Sequence, residues 1–450
     1  MDVDVVVIGL GPGGEYAAQK LAEAGLRVVG VEKHLVGGEC PFYGCIPSKL
    51  LIRAADTLGE ARRAGMLAGT ADVRPDWAKV EHRIRDEATN DWTDAGHVAR
   101  LEAAGVTVVR GEARLAGPGR VVVDGTEYVA ARGVVLNSGT APAVLPIDGL
   151  AGTPYWTNRE VFKISELPES LVVIGGGPIG CELAQAFARF GVRVTLLEVA
   201  DRLMTVEEPE SSEVVTRVFA REGIDVRTGV RIDAVRHDHD RFTVVVDGVD
   251  LVADRLLVAA GRSPNLRDVG LDTVGLDPSA RGVDTDERMR AGERLWAVGD
   301  ITGHGAFTHV SMYQAAVAVR DLLGEDGPWA DYRAVSRVTF TDPEVGSVGL
   351  TEQQARDAGL RVSTATSDLP ESSRGWIHAE GNDGLIKLVA NADRGVLVGA
   401  TSVGPMGGEV LSMLATAVHA EVPIATLRTM HFAYPTFHRA VEVALKALHV

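Results

Sequence analysis

The sequence predicts an α/β protein with two similar strand–turn–helix–strand units and a C-terminal α+β region. Two glycine-rich turns, at residues 9–14 and 175–180, each follow a short apolar run. Each turn precedes a helical pattern and a second apolar strand that ends in a glutamate. Beyond residue 331, strand-like and helix-like segments are mixed, which is typical of a separate α+β domain.

The first unit begins close to the N-terminus. Val5–Ile8 is predicted as a buried strand, Gly9–Gly14 as the turn, Glu15–Ala24 as a helix and Val28–Val31 as a strand that leads into Glu32. A GxGxxG turn between a strand and a helix, with an acid at the end of the next strand, is the fingerprint of dinucleotide binding.

The second unit repeats this order. Leu171–Ile174 is predicted as a strand, Gly175–Gly180 as the turn, Glu182–Phe190 as a helix and Val192–Leu197 as a strand before Glu198. Because both turns have the full context of the fingerprint, we predict two Rossmann-like dinucleotide-binding domains.

The remaining segments are assigned from pattern. Residues 58–104 are predicted to be mostly helical, and residues 106–136 to form a small meander with a turn at Asp124-Gly125. A polar linker at 324–331 precedes the last region, in which the helix 410–418 has an apolar face that is either exposed or core. The expected domains are residues 1–150, 151–266, 267–331 and 332–450.

Composition restricts the function. The 450 residues carry a formal net charge of −17, which argues against binding nucleic acid or an anionic membrane. No apolar run approaches 18 residues, and the N-terminus has no basic segment or cleavage pattern, so we expect a cytoplasmic protein without a membrane span. No metal site is expected.

The segment 37–49 contains two of the three cysteines, Cys40 and Cys45. Taken alone, they would be ordinary buried thiols. Pro47, however, can occupy the first turn of a helix over Leu50–Ala55, which places Cys45 near a helix N-terminus, where a thiolate is favoured. The pair is therefore predicted to be a redox disulfide.

Over nearly its whole length the chain resembles the class I pyridine nucleotide-disulfide oxidoreductases. The resemblance rests on residues 9–14 with Glu32, 37–49, 138–142, 175–180 with Glu182, 260–265, 298–300 and 340–351.

The resemblance implies FAD on the first unit, a nicotinamide cofactor on the second and a C-terminal dimerisation domain. Glu32 and Glu198 would each accept hydrogen bonds from a ribose, and Glu198 would repel a 2′-phosphate, so NADH is favoured over NADPH. Arg193 and Arg202 lie nearby in the sequence and weaken that preference. The positions expected to bind cofactor are Gly9, Gly11, Gly13, Gly14, Glu32, Lys33, Gly38, Ser138, Gly139, Gly175, Gly177, Pro178, Gly180, Glu198, Gly261, Arg262, Gly299, Asp300 and His309.

The resemblance also assigns roles in electron transfer. Lys49 and Glu182 would form an ion pair beside the flavin, Cys45 would contact the flavin, and Cys40 would be the sulfur exposed for thiol–disulfide exchange. Cys181 is expected to be an inert buried thiol.

Two segments depart from the family. Tyr434 and Arg439 stand where the family usually has an acid–base histidine and glutamate, so His438 or His431 is considered as a substitute, although each is more often structural. Tyr434 is expected to reach Cys40 of a second subunit. Glu39 precedes Cys40, and an acid there would raise the thiol pKa unless it faces away.

Three functions stay open. In the leading hypothesis, the protein is a homodimer with a shared site that passes electrons from NADH through FAD and Cys40/Cys45 to a small disulfide or dithiol. In the second hypothesis, the enzyme gives the electrons to a quinone, a metal ion or oxygen. The third is a flavin-binding homologue without turnover.

Overall fold

The computed structural model describes residues 1–450. The strands are β1 (Asp2–Ile8), β2 (Val28–Glu32), β3 (Val106–Arg110), β4 (Ala113–Leu115), β5 (Arg120–Val123), β6 (Thr126–Leu136), β7 (Thr140–Pro142), β8 (Ser170–Ile174), β9 (Arg193–Leu197), β10 (Asp225–Arg227), β11 (Ile232–Asp238), β12 (Arg241–Val246), β13 (Val249–Ala253), β14 (Arg255–Val258), β15 (Arg262–Pro264), β16 (Arg290–Gly292), β17 (Leu295–Ala297), β18 (Ser336–Thr339), β19 (Glu344–Gly349), β20 (Val362–Asp368), β21 (Leu385–Asn391) and β22 (Val396–Gly404).

The α-helices are α1 (Pro12–Glu23), α2 (Glu39–Tyr43), α3 (Cys45–Leu67), α4 (Trp77–His82), α5 (Ala95–Ala103), α6 (Pro178–Arg189), α7 (Pro209–Arg221), α8 (Thr308–Leu323), α9 (Glu352–Asp357), α10 (Ser373–His378), α11 (Gly407–His419), α12 (Ile424–Leu427) and α13 (His438–Ala447).

The first compact unit comprises Met1–Pro47, Arg83–Ala143 and Arg262–Asp331. Its main sheet has the order β16-β17-β6-β1-β2-β3, and β4 and β5 extend it beside β6. Strand β1 is buried on both faces, as expected for a central parallel strand. Val5 and Val7 pack with helix residues such as Leu21 and Ala315, whereas Val6 packs on the side of the β4–β6 meander.

The second compact unit comprises Ser48–His82, Val144–Gly261 and Tyr332–Val450. It contains the parallel sheet β10-β9-β8-β14, the antiparallel sheet β11-β12-β13 and the antiparallel sheet β18-β19-β22-β21-β20. In the last sheet, Ile386 and Leu388 pack with Leu414 of α11 and Leu445 of α13.

Several predicted boundaries are wrong in an informative way. Helices α1 and α6 begin at Pro12 and Pro178, within the glycine turns, because proline fits the first helical position, where its missing N–H is not needed. Helix α3 begins at Cys45 rather than at Leu50. Strand β3 does not join the predicted meander: it follows a helix, and such a crossover returns it parallel to β2.

Other predictions are confirmed. The turn at Asp124-Gly125 joins β5 to β6, and both residues have a positive φ. The apolar face of α11 belongs to the core of the C-terminal sheet, which decides the choice left open for that helix. The division into four domains is finer than the two compact units and stays a prediction.

Candidate active site

The first glycine turn connects β1 to α1. The carboxylate of Glu32, at the end of β2, accepts hydrogen bonds from the backbone N–H groups of Leu10 and His34, each at 2.8 Å. Gly14 has to be glycine because a Cβ there would collide with the carbonyl oxygen of Gly9. The turn, the helix and the terminal glutamate are therefore tied together by backbone contacts.

The second turn has the same construction. The Glu198 carboxylate accepts from the N–H groups of Gly176 at 2.6 Å and of Ala200 at 2.8 Å. A Cβ on Gly180 would collide with the Gly175 carbonyl oxygen. Both units thus hold one acidic group at the mouth of a glycine turn.

The two arginines near Glu198 are not directed to it. The Arg202 guanidinium donates to the carbonyl oxygens of Met204, Thr205 and Glu207 and to the hydroxyl of Ser212, at 2.8–3.1 Å. Arg193 begins β9, at the end of the strand away from Glu198, and its side chain is 74% exposed. Neither arginine forms an ion pair with Glu198 in this arrangement.

Cys40 and Cys45 lie together in the first unit. Cys40 is in the short helix α2, and Cys45 is the first residue of α3, where its Sγ lies 3.5 Å from the Thr308 hydroxyl of α8. A hydrogen bond to Cys45 and, next, burial raise the pKa of the Cys40 thiol well above its usual range, while Thr308 lowers it. The two sulfurs are therefore close enough to share a hydrogen bond.

Within the chain, Cys45 is exposed at the first residue of α3, and Cys40 is half-buried. The individual roles of the two sulfurs stay predictions.

Glu39, the residue before Cys40, has a cationic partner. Its carboxylate forms a 2.8 Å ion pair with Arg262 at the start of β15. The same guanidinium donates to the hydroxyl and the carbonyl oxygen of Thr140, at 2.7 and 2.8 Å. The Thr140 hydroxyl in turn donates to the Asp300 carboxylate at 2.6 Å. Arg262 and Asp300, both predicted to bind cofactor, are thus linked to the residue before Cys40.

Lys49 and Glu182 meet within the second unit. Their side chains form a 2.8 Å ion pair in which Glu182 is only 6% exposed. The Phe340 N–H donates to the other Glu182 oxygen at 2.8 Å, and the Lys49 ammonium lies 4.5 Å from the centre of the Phe340 ring. The pair is therefore held from the side of β18 as well.

Cys181 is fully buried, as expected, and its thiol donates to the Gly176 carbonyl oxygen at 3.3 Å. Burial raises the pKa of this thiol above its usual range. A buried, protonated thiol is a poor nucleophile.

In the C-terminal segment, Tyr434 and Arg439 do not form a histidine–carboxylate pair. Tyr434 is 70% exposed, and the guanidinium of Arg439 lies 5.7 Å from its ring centre. Arg439 also pairs with Glu442 one turn along α13. His438, the first residue of α13, is half-buried, whereas His431 is exposed.

The remaining predicted positions lie in the first unit, apart from Gly177, which caps α6, and Gly261, which ends a stretch of the second unit. Lys33 is exposed and pairs with Glu112, and His309 is exposed on the first turn of α8 with its ring stacked on Phe307. Gly13, Gly38 and Gly299 pack closely against other residues, since a Cβ on each would meet Ser311, Gly11 and Asn137 respectively. The backbone carbonyls of Ser138 and Gly139 accept from Asn265.

Sequence reasoning missed three contact residues. Thr140 and Phe340 lie inside motifs that were recognised, but nothing in the motifs marked them as partners of Arg262 and Glu182. Thr308 lies 263 positions from Cys45, and no sequence signal joins the two.

No group of His, Cys, Asp or Glu side chains is arranged to hold a metal ion. None of the helices is both long and apolar enough to cross a membrane.

The sequence profile of the pyridine nucleotide-disulphide oxidoreductases matches residues 3–320, and the profile of their dimerisation domain matches residues 335–445. The chain belongs to the pyridine nucleotide-disulphide oxidoreductase family. The predicted family and fold class are thereby confirmed, and the protein is an NAD(P)H-dependent flavoenzyme with an FAD-binding Rossmann fold.

Curated relatives match end to end. A dihydrolipoyl dehydrogenase of Chlorobaculum tepidum is 34% identical over 99% of this chain and 97% of its own length. A mercuric reductase of Streptomyces lividans is 34% identical over 98% of this chain and 95% of its own length. The family is shown by both, whereas their acceptors differ.

Solved structures agree. LpdA from Mycobacterium tuberculosis superposes with a TM-score of 0.87 at 26% identity, and the HOCl-induced flavoprotein disulfide reductase RclA from Escherichia coli with 0.85 at 26% identity. Each match covers 99% of both chains.

The first unit of this family member fits FAD. The N-terminus of α1 is capped by Gly11 without any side-chain hydrogen bond, so its first N–H groups remain directed to the turn, where a pyrophosphate is favoured. The buried hydroxyl oxygen of Ser138, next to Gly139, has no hydrogen-bond partner within the chain. Together with the Glu32 carboxylate, these groups would hold the dinucleotide.

Proposed function

We propose that this flavoenzyme passes electrons from NADH through FAD to the Cys40/Cys45 pair and on to a small disulfide or dithiol, as a dihydrolipoyl dehydrogenase does. The observation that carries the proposal is the hydrogen-bonded cysteine pair at the start of α3. Bound FAD would supply two-electron exchange between the nicotinamide and the sulfur pair.

The chain's own residues would perform thiol–disulfide exchange. Cys40 gives up its proton, and the resulting thiolate attacks one sulfur of the acceptor disulfide, which forms a mixed disulfide and releases one thiolate. Cys45, also as a thiolate, then attacks Cys40, which releases the second thiolate and leaves the Cys40–Cys45 disulfide. The two released thiolates take up the two protons that Cys40 and Cys45 gave up, so the acceptor gains two electrons and two protons, and the cysteine pair is oxidised.

The preference for NADH is supported by the charge at the second turn. Glu198 is held by two N–H groups, Arg202 is occupied by three carbonyls and a hydroxyl, and Arg193 lies at the far end of β9. A 2′-phosphate would meet an anionic carboxylate that is not paired with either arginine.

A second candidate function gives the electrons to a metal ion, a quinone or oxygen. It is favoured by Tyr434, whose ring lies beside Arg439 instead of a carboxylate. Mercuric reductases are among the relatives, and one related structure is a Cu(II) complex of RclA. A homodimer, in which Tyr434 reaches the neighbouring subunit, is part of either proposal and is supported by the dimerisation domain.

The test is an anaerobic titration of the holoenzyme with NADH, followed by its visible spectrum. We expect the long-wavelength band of a thiolate against oxidised flavin after two-electron reduction. The Cys40→Ser variant should lose lipoamide turnover but keep flavin reduction, and the matched control Cys181→Ser should keep both. Flavin that bleaches without the band, with full turnover in Cys40→Ser, would overturn the proposal and favour the second candidate.

A further inference from the structure

Glu39 places a carboxylate directly before Cys40, at the first position of α2. An unpaired anion so close to a thiol would disfavour the thiolate that exchange requires. The carboxylate is instead joined to Arg262, and the two side chains are only 24% and 22% exposed. Water screens such a pair less than it screens a surface ion pair.

Arg262 is itself fixed in place. It donates to both oxygens of Thr140, and these two residues lie on the paired strands β7 and β15. The Thr140 hydroxyl continues the chain of hydrogen bonds to Asp300. A guanidinium held at three points keeps one orientation, so its charge stays beside Glu39.

We propose that Glu39 and Arg262 are positioning residues that set the reactivity of the Cys40/Cys45 couple by balancing opposite charges next to it. The inference rests on the proposed use of this couple as the redox centre. The side chains that act directly on the Cys40 thiol are Cys45 on α3 and Thr308 on α8, while Glu39 on α2 is its chain neighbour and is paired with Arg262 on β15.

If the two charges balance, replacing Glu39 and replacing Arg262 should shift the thiol pKa in opposite directions. Glu39→Gln leaves the Arg262 cation unpaired at the residue before Cys40, which favours the thiolate and lowers the thiol pKa. Arg262→Gln leaves the Glu39 anion unpaired, which disfavours the thiolate and raises the thiol pKa. Each shift should be about one pKa unit, and the double variant should return close to the wild type.

The experiment measures thiol reactivity rather than turnover. Holoenzyme reduced with a phosphine is treated with iodoacetamide over a range of pH, and modification at Cys40 is followed by peptide mass spectrometry. Glu39→Asp and Arg262→Lys serve as conservative rescues, and His309→Gln controls for the titratable neighbour of Thr308. Bound-flavin absorbance reports that each variant is folded.

Shifts in opposite directions, cancelled in the double variant, support the inference. If the thiol pKa shifts in the same direction in both single variants, or does not shift in folded variants, the inference is overturned. A purely structural contact would disturb the segment around Cys40 in the same way whichever of the two residues is replaced. Since the phosphine reduces the disulfide directly, these profiles do not depend on the NADH-induced band. Failure of the proposed function would instead appear as a missing band in the wild type.

Discussion

The Lys49 ammonium lies 2.8 Å from the Glu182 carboxylate and joins two residues that are 133 positions apart in the chain. Glu182 is almost fully buried, whereas Lys49 is partly exposed. Removal of one partner of such a pair leaves a charge in a poorly hydrated site, and that cost exceeds the value of the ion pair itself.

We therefore expect Lys49→Met to lower the unfolding free energy by about 1–3 kcal/mol. The matched control is Lys79→Met, because Lys79 pairs with Asp76 at 3.8 Å on the surface and should contribute about 0–0.5 kcal/mol. Thermal unfolding by circular dichroism, with flavin content determined in parallel, measures both. Equal effects of the two substitutions would contradict the importance of the buried carboxylate.

Asp56 gives a prediction on pH. Burial raises its pKa to about 7, although Arg189 at 2.7 Å acts in the opposite direction. A carboxyl group whose pKa is higher in the folded state binds its proton more tightly there, so its contribution to stability falls as the pH rises from about 4 to 7.

The Asp56→Asn variant should lack this dependence and should gain stability relative to the wild type by about 1 kcal/mol between pH 4 and 8. That figure is reduced from the full shift because the Asp56 side chain is 40% exposed. Urea unfolding at the two pH values measures the difference. A difference that stays constant with pH would refute the assignment.

Glu198 controls the choice of nicotinamide cofactor in the proposed function. Glu198→Gln removes the charge that repels a 2′-phosphate but keeps a group of the same shape. We expect the ratio of kcat/KM for NADH to that for NADPH to fall about tenfold, which corresponds to about 1.4 kcal/mol.

Arg193→Ala is the matched control, because its side chain lies at the other end of β9 and should leave the ratio unchanged. Steady-state kinetics with ferricyanide as the acceptor avoid any dependence on the physiological acceptor. A ratio that moves only in Arg193→Ala would assign cofactor choice to the arginine instead.

Substitutions at Tyr434 and Arg439 test which class of electron acceptor the enzyme uses. Tyr434→His with Arg439→Glu restores the pair that the resemblance associates with protonation of a leaving thiol. General acid–base help is worth about 10²- to 10⁴-fold, so lipoamide reduction should rise by about tenfold or more if proton transfer limits it.

The single substitution Arg439→Glu places a second acid beside Glu442 and serves as the control for a change of charge alone. Quinone reduction is expected to stay unchanged in both variants. If lipoamide reduction is already fast in the wild type and falls in the double variant, Tyr434 is itself part of the thiol chemistry.

Much of the fold was predictable because its signals are local. A glycine turn needs only a few residues, and the acids at the ends of β2 and β9 follow at a fixed distance from it. The starts of α1 and α6 were misplaced because proline, which disrupts the interior of a helix, is favourable in the first turn. The position of β3 was missed because pairing depends on the crossover before it and not on its own residues.

In the candidate site, too, local features could be predicted from the sequence and long-range contacts could not. The closeness of Cys40 and Cys45 could be predicted, since only four residues separate them in the sequence. The direction of the Glu39 side chain could not, because its partner Arg262 lies 223 positions away.

The sequence by itself determined that this protein has two dinucleotide-binding units, a cysteine pair and a C-terminal α+β region, because each is encoded in short spacings of residue types. Only the tertiary structure decided that Glu39 pairs with Arg262, that Arg202 donates to backbone carbonyls and Ser212 rather than to Glu198, and that Cys45 contacts Thr308. Those contacts join side chains from distant segments, and their geometry depends on how sheets and helices pack rather than on any local pattern.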